Sequence, residues 1–121
     1  MVIVDTSIWV DHLRTGIKHL EKLLLDAEVA CHEFIIGELA CGNLKNRDEI
    51  LILLQSLPSS LTVDHQEFLY FIDKHGLMGR GIGFVDVHLL ASAQIANVPI
   101  WTADNRLKAA AKNLRLNYSK R

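Results

Sequence analysis

Short apolar runs alternate with segments of helical periodicity along the chain, and this alternation limits the fold more than any other feature of the sequence. Buried strands are predicted at 2–4, 28–32, 61–63 and 99–102, with 116–118 as a candidate edge strand. Helices are predicted from about Thr6, near 17–25, and over 33–41, 48–57, 65–75, 85–97 and 106–113. Because strands that alternate with helices form βαβ units, we expect an α/β fold whose mainly parallel sheet is covered by helices on both faces.

The composition is that of one globular domain. The chain has 121 residues, of which 50% are hydrophobic and 22% are charged, so we expect a single domain over residues 1–121. No apolar stretch reaches the roughly 18 residues of a membrane span, and no signal-peptide pattern follows Met1. Cys31 and Cys41 are too few and too far apart for a disulfide framework or a cysteine zinc site. These features favour a cytoplasmic protein that does not contact a membrane.

Two aspartates closely follow predicted strands. Asp5 comes directly after the strand at 2–4, and Asp104 comes shortly after the strand at 99–102. In parallel sheets, ligands bind beyond the carboxyl ends of the strands, where loops and helix N-termini meet. We therefore expect these two carboxylates to be neighbours despite their separation in the sequence.

Two further acids interrupt apolar helical segments. Glu38 stands between Ile36-Gly37 and Leu39-Ala40, and Asp86 stands at the start of the most apolar predicted helix. A carboxylate buried there is unfavourable without a partner. Each acid alone has a structural explanation, because an aspartate can cap a helix or interact with its dipole and Glu38 can pair with an arginine.

Taken together, the four acids indicate a metal site. Two unit charges about 4 Å apart repel by roughly 4 kcal/mol at an effective dielectric constant near 20. Protonation or bound cations would relieve that repulsion. An all-oxygen set of carboxylates suits Mg²⁺, or Mn²⁺ as a substitute, better than zinc.

Four short motifs give this chain a family resemblance. They are Val-Asp-Thr-Ser at 4–7, Gly-Glu-Leu at 37–39, Val-Asp-Val-His-Leu-Leu-Ala-Ser-Ala at 85–93 and Thr-Ala-Asp-Asn-Arg-Leu at 102–107. In this order they resemble the motifs of PIN-domain ribonucleases of the VapC toxin type, over nearly the whole chain. The four acids match the acidic positions of the family's motif, which makes them the predicted catalytic and metal-binding residues: Asp5, Glu38, Asp86 and Asp104.

The resemblance implies a fold, an activity and partners. The fold would be a PIN-like three-layer α/β/α arrangement with strand order 3-2-1-4-5. The protein would be the toxin of a type II toxin–antitoxin system, a homodimer held inactive by a cognate VapB-like antitoxin. Its activity would be that of a Mg²⁺-dependent endoribonuclease, in which one or two metal ions activate a water that cleaves an RNA phosphodiester bond.

Basic residues concentrate near the end of the chain. Residues 98–121 contain six basic residues against one acid, Asp104, for a net charge of +5 in a chain whose overall charge is -1. This segment is either a solvated helix face or a surface that attracts phosphates. Arg80, in the glycine-rich stretch 76–83, is a second candidate for RNA contact.

Polar residues near the acids have less specific roles. Thr6, Ser7 and Thr102 could hydrogen-bond a carboxylate, a water or a phosphate, although helix capping is the expected role of Ser7. The six histidines show no HExxH spacing and are expected to be surface or partly buried side chains.

Two other functions share part of this pattern. A receiver-like phosphoacceptor domain has similar length and clustered aspartates, but Glu38 in an apolar helix has no role in such a site. A PIN-like domain that binds RNA or a partner without cleaving it remains the second alternative.

Overall fold

Three parallel strands form the centre of the molecule in a computed structural model that describes residues 1–120. The strands are β1 (Val2–Val4), β2 (Val29–Ala30) and β3 (Ile100–Trp101), in the order β2-β1-β3. In β1, Ile3 pairs with Ala30 on one side and with Ile100 on the other. The strand order changes direction at β1, so the crevice between the ends of β1 and β3 is where a ligand site is expected.

One additional parallel bridge lies at each edge of this sheet. Cys31 bridges to Ser59 beside β2, and Ile100 bridges to Asn117 beside β3. Across the sheet, the five paired segments therefore follow the predicted order 3-2-1-4-5, although the outer two are single bridges instead of full strands. The structure thus confirms the predicted α/β fold with its parallel sheet.

The strand predicted at 61–63 is wrong, because pairing at that edge occurs earlier in the chain. The N–H of Cys31 donates to the carbonyl of Pro58 at 2.8 Å, and the N–H of Ser60 donates to the carbonyl of Cys31 at 3.2 Å. The residues that follow lead into a helix cap at Asp64. The candidate edge strand at 116–118 is likewise reduced to the bridge at Asn117.

Seven helices occur within residues 1–120, close to the predicted positions. They are α1 (Thr6–Thr15), α2 (Lys18–Leu25), α3 (Glu33–Ala40), α4 (Arg47–Ser56), α5 (His65–His75), α6 (Phe84–Ala96) and α7 (Asn105–Asn113). The α5 helix illustrates why the boundaries were predictable. Asp64 and Glu67 form a reciprocal capping box at its start, and Gly76 ends it with a φ of +61°.

The core fixes the elements that carry the acids. All three residues of β1 are buried, as are Leu89 and Leu90 of α6 and Leu107 of α7. Burying a side chain of this size stabilises the fold by about 1.5–3 kcal/mol. Because β1, α6 and α7 are anchored in one core, the residues at their site-facing ends hold defined positions. No helix within residues 1–120 is both long and apolar enough to span a bilayer.

Candidate active site

Asp5 is the most buried of the four acids. It follows β1, where its N–H donates to the carbonyl of Trp101 at 2.9 Å, and it is only 5% exposed. Its Oδ2 accepts hydrogen bonds from the hydroxyls of Thr102, at 2.7 Å, and Ser7, at 2.9 Å. Hydrogen bonds to an ionised oxygen are stronger than those between neutral groups, so they stabilise the buried carboxylate in one orientation.

The same two hydroxyls connect Asp5 to the loop after β3. Thr102 Oγ1 accepts from the N–H of Asp104 at 3.0 Å, and Ser7 Oγ accepts from the N–H of Ala103 at 3.1 Å. The predicted capping role of Ser7 is wrong, because α1 already begins at Thr6 and the Ser7 hydroxyl points to Asp5 and this loop. Thr102 and Ser7 therefore tie the ends of β1 and β3 together.

Asp104 caps α7 while remaining exposed. Its Oδ1 accepts from the N–H groups of Arg106, at 2.9 Å, and Leu107, at 3.0 Å. The other carboxylate oxygen, Oδ2, has no hydrogen bond to a protein group within residues 1–120. The helix cap predicted as a structural alternative is thus present, and it leaves one oxygen available to a ligand.

Glu38 is exposed, which corrects the expectation of a buried carboxylate in an apolar helix. Buried Ile35 and Leu39 occupy the opposite side of α3. Glu38 Oε1 accepts from the hydroxyl of Thr6, the first residue of α1, at 2.7 Å. This bond directs the Glu38 side chain toward the start of α1, next to Asp5 in the sequence.

Asp86 lies in the first turn of α6 and is half-buried. Its Oδ2 accepts from the N–H of Gly83 at 3.2 Å. Burial raises the pKa of the Asp86 carboxyl above its ordinary value, and the hydrogen bond from Gly83 lowers it. Negative charges on three neighbouring side chains raise this pKa further: Asp5, Asp104 and Glu38.

Asp5, Asp104 and Glu38 are therefore close enough to Asp86 for their charges to act on it. No lysine or arginine within residues 1–120 forms an ion pair with any of them, because the one ion pair in that range joins the Met1 amino group to Glu28. Negative charge brought together without a protein cation favours binding of cations from solution. The oxygen-only donor set fits Mg²⁺ or Mn²⁺.

The carboxylates are not drawn tightly around one point. Within residues 1–120, no group of three or more His, Cys, Asp or Glu side chains is close enough to enclose a metal ion. Glu38 and Asp86 are each held by one side-chain hydrogen bond, fewer than Asp5 or Asp104 accepts. The residues fit a divalent metal in donor chemistry and charge.

His32 has a structural role beside the site that the sequence did not reveal, and its burial corrects the expectation of a surface or partly buried histidine. It precedes α3 and is fully buried, and its Nδ1 accepts from the N–H of Phe34 at 3.0 Å, capping the helix that carries Glu38. Its Nε2 lies 3.1 Å from the hydroxyl of Ser92. Because Nδ1 accepts a hydrogen bond, Nε2 must carry the proton. Burial, with a smaller contribution from His88, lowers the pKa of His32 to about 4.

Two of the surface grooves formed by residues 1–120 bear on the position of the acids. One, of about 700 Å³, includes Thr6 and Glu38 and also the basic residues Arg14 and Lys45, so it adjoins the acidic region. The other, of about 510 Å³, lies between α5 and α6 and includes Tyr70 and Ile95. None of the four acids lines this second groove.

Comparisons with known proteins agree with this architecture. The PIN-domain family model matches residues 2–113. The chain is 46% identical over 111 residues to Ribonuclease VapC32 of Mycobacterium tuberculosis, in strains CDC 1551 / Oshkosh and ATCC 25618 / H37Rv, covering 91% of this chain and 90% of each relative.

A solved structure shares the fold at lower identity. The crystal structure of PAE2754 from Pyrobaculum aerophilum superposes with a TM-score of 0.61 and 19% identity, covering 95% of this chain and 88% of the other. The receiver-like alternative is set aside by the family match. Fold, motif order and sequence identity agree that the chain belongs to the PIN-domain family and, within it, to the VapC-type proteins.

Proposed function

We propose that this protein is the toxin of a type II toxin–antitoxin system and acts as a Mg²⁺-dependent endoribonuclease. The observation that supports this most is the grouping of the acids: the charges of Asp5, Asp104 and Glu38 act on Asp86, and within residues 1–120 no lysine or arginine forms an ion pair with any of the four. The 46% identity to Ribonuclease VapC32 supports the choice of RNA as substrate.

Four carboxylates would hold the metal, directly or through waters: Asp5, Glu38, Asp86 and Asp104. When bound, Mg²⁺ would lower the pKa of a coordinated water and stabilise charge on the scissile phosphate. Asp5 contributes a carboxylate fixed by the hydroxyls of Thr102 and Ser7. Glu38 and Asp86 contribute side chains with more freedom, which can adjust to an ion and to the substrate.

Cleavage of a structured RNA by the purified protein tests this function. We expect cleavage in Mg²⁺, none in EDTA, and a loss on the order of 100-fold or more for Asp86→Asn. Asp11→Asn is the matched control, because Asp11 is an exposed aspartate on α1 outside the quartet. Cleavage by Asp86→Asn at the rate of the parent protein would refute the assignment, and a parent that binds RNA without cleaving it would favour the non-catalytic alternative.

A VapB-like antitoxin is the proposed inhibitor. An arginine of such a partner would bind the acidic quartet through charge-assisted bidentate hydrogen bonds, excluding metal and substrate. The groove that includes Thr6 and Glu38 would hold the adjoining antitoxin segment. We expect an antitoxin peptide to inhibit cleavage and the same peptide with alanine in place of arginine to inhibit weakly. Equal inhibition by both peptides would exclude this mode of binding.

We also propose a homodimer that works in the cytoplasm. Several large apolar side chains are exposed on α4, α5 and α6, and burying them between two copies would stabilise a dimer: Ile52, Leu53, Leu69, Tyr70 and Ile95. Light scattering coupled to size-exclusion chromatography measures the mass directly. A monomer at micromolar concentration would contradict the dimer.

A further inference from the structure

The side chain of Arg106 lies against the glycine-rich loop at 76–83. Gly81 has a φ of +75°, and a Cβ placed on it would be 2.7 Å from Nη1, 3.0 Å from Cδ and 3.1 Å from Cζ of Arg106. Gly79 in the same loop has a similar φ of +72°, but a Cβ placed on it would meet no atom of residues 1–120 within 4 Å. Both positions favour glycine because of their positive φ, and at Gly81 the missing side chain also leaves space for Arg106.

Arg106 is also connected to the acidic site on two sides. Its backbone N–H donates to Asp104 Oδ1 at 2.9 Å. The loop that its side chain covers continues to Gly83, whose N–H donates to Asp86 Oδ2. The guanidinium therefore lies at the rim of the site, near the elements that hold two of the four acids.

Arg106 is exposed, and its guanidinium forms no ion pair within residues 1–120. A guanidinium carries five N–H donors in a planar arrangement that matches phosphate geometry. The contact with Gly81 restricts the side chain before any ligand arrives, which lowers the entropy lost on binding. These properties suit a binding residue for an anion that the four carboxylates would otherwise repel.

We propose that Arg106 binds a backbone phosphate of the RNA at the rim of the acidic site, and that Gly81 positions Arg106 by leaving space for its side chain. This inference rests on the proposed ribonuclease activity and adds a phosphate-binding residue outside the acidic quartet. Arg106 touches the substrate in this account, whereas Gly81 acts only through Arg106.

Steady-state cleavage of RNA in Mg²⁺, measured over a range of salt concentrations, tests the role of Arg106. Arg106→Gln should raise KM about tenfold with little change in kcat, and should reduce the slope of log affinity against log salt by about one. Arg106→Lys should restore the salt slope and part of the affinity, because it keeps the charge but loses bidentate bonding. Lys22→Gln, with the same charge change at an exposed position of α2 outside the basic segment, should leave KM within about twofold.

A pair of glycine variants tests the positioning role. Gly81→Ala and Gly79→Ala impose the same penalty of positive φ, so both should lower the melting temperature by similar amounts. Only Gly81→Ala should also raise KM, because only its Cβ displaces Arg106. In the double variant, Gly81→Ala should add little to the effect of Arg106→Gln.

The outcomes separate this inference from the activity on which it rests. A parent protein that fails to cleave RNA overturns both. A parent that cleaves RNA, with KM and salt slope unchanged in Arg106→Gln, overturns the phosphate-binding role alone. A fall in kcat without a change in KM or salt slope also overturns it. Equal KM increases in Gly79→Ala and Gly81→Ala overturn the positioning role of Gly81.

Discussion

The two halves of the acidic site are built in different ways. Asp5 and Asp104 follow parallel strands. Asp5 accepts hydrogen bonds from the hydroxyls of Thr102 and Ser7, and Asp104 accepts two from backbone N–H groups at the start of α7. Glu38 and Asp86 project from helices, and each accepts one. The strand half, Asp5 and Asp104, is therefore positioned by the sheet before any ligand binds. The helix half, Glu38 and Asp86, retains more side-chain freedom.

The two halves also differ in how well hydrogen bonds stabilise their carboxylates. Two hydroxyls, those of Thr102 and Ser7, donate to the carboxylate of Asp5, which is 5% exposed. Asp86 has only the N–H of Gly83 to offset burial and the field of its neighbours. At Asp86, burial and the charges of its neighbours disfavour the ionised carboxylate, and a bound cation would offset that cost.

The largest effects are expected for Asp5→Asn and Asp86→Asn, which should both lose activity but change the stability of the protein in opposite directions. Asp5→Asn and Asp86→Asn should each lower cleavage on the order of 100-fold or more. In EDTA at pH 7, Asp5→Asn should lower the melting temperature, because charge-assisted bonds from two hydroxyls are weakened. Asp86→Asn should raise it by a few degrees, because a partly buried and repelled charge is removed.

The stability gain expected for Asp86→Asn depends on pH, because the pKa of Asp86 is raised in the folded protein. The folded protein holds the Asp86 proton more tightly than the unfolded chain does, so ionisation of Asp86 destabilises the fold as pH rises above the ordinary value of 3.8. The stability gain of Asp86→Asn should therefore be present at pH 7 and disappear below that value. Thermal melting of both variants across pH measures it, and a loss of stability in Asp86→Asn at pH 7 would contradict the contrast.

The second prediction removes one hydroxyl from the strand half. Thr102→Val keeps the shape of a buried side chain but removes the donor to Asp5 and the acceptor for the N–H of Asp104. Residues that orient metal ligands commonly contribute about 10- to 100-fold to metal affinity or activity. We expect a loss in that range, measured as cleavage rate against Mg²⁺ concentration. Wild-type Mg²⁺ dependence in Thr102→Val would show that the network does not position Asp5.

The third prediction concerns the cap of the helix that carries Glu38. His32 has a pKa of about 4 in the folded protein against an ordinary 6.5, so the fold has its full stability above pH 6.5. That stability is lost as pH falls toward 4, at up to about 1.4 kcal/mol per pH unit, or tenfold in the folding equilibrium. His32→Asn provides a cap that does not titrate and should remove this part of the slope. Urea unfolding between pH 7.5 and 4.5 measures the slope, and identical slopes in both proteins would refute the prediction.

The smallest effect is expected when the hydroxyl that contacts the helix half, that of Thr6, is removed. Thr6→Val deletes the 2.7 Å bond to Glu38, but Glu38 is exposed and can be solvated by water instead. We expect cleavage to fall by only about two- to fivefold, since a solvated hydrogen bond contributes about 0.5–1 kcal/mol. A loss in Thr6→Val equal to that in Thr102→Val would mean that both halves are equally fixed.

The strand half was the more predictable from the sequence. An aspartate placed directly after a buried strand, as Asp5 is, reaches the carboxyl edge of a parallel sheet whatever the details of the helices. The hydroxyls of Thr102 and Ser7 stand beside aspartates in the sequence, although the chain alone could not show that Ser7 bonds across to the loop after β3. Local sequence does not specify contacts between residues so far apart.

The helix half and the sheet edges were less predictable because they depend on tertiary packing. Glu38 sits among apolar residues, which suggested burial, yet the apolar side chains turn toward the core and leave it exposed. At one edge of the sheet, Cys31 pairs with Ser59 and not with the predicted strand at 61–63. Short apolar runs specify the pairing register of a strand only weakly. The role of His32 as a helix cap is also unreadable from sequence, because histidine is not among the favoured caps.

Isothermal titration of the purified protein with Mn²⁺ tests the central claim most directly, because it asks whether the four carboxylates bind a divalent cation at all. The account predicts saturable binding in the parent and in Asp11→Asn, and its loss in Asp86→Asn. Absence of Mn²⁺ uptake by the parent, or equal uptake by Asp86→Asn, would contradict it.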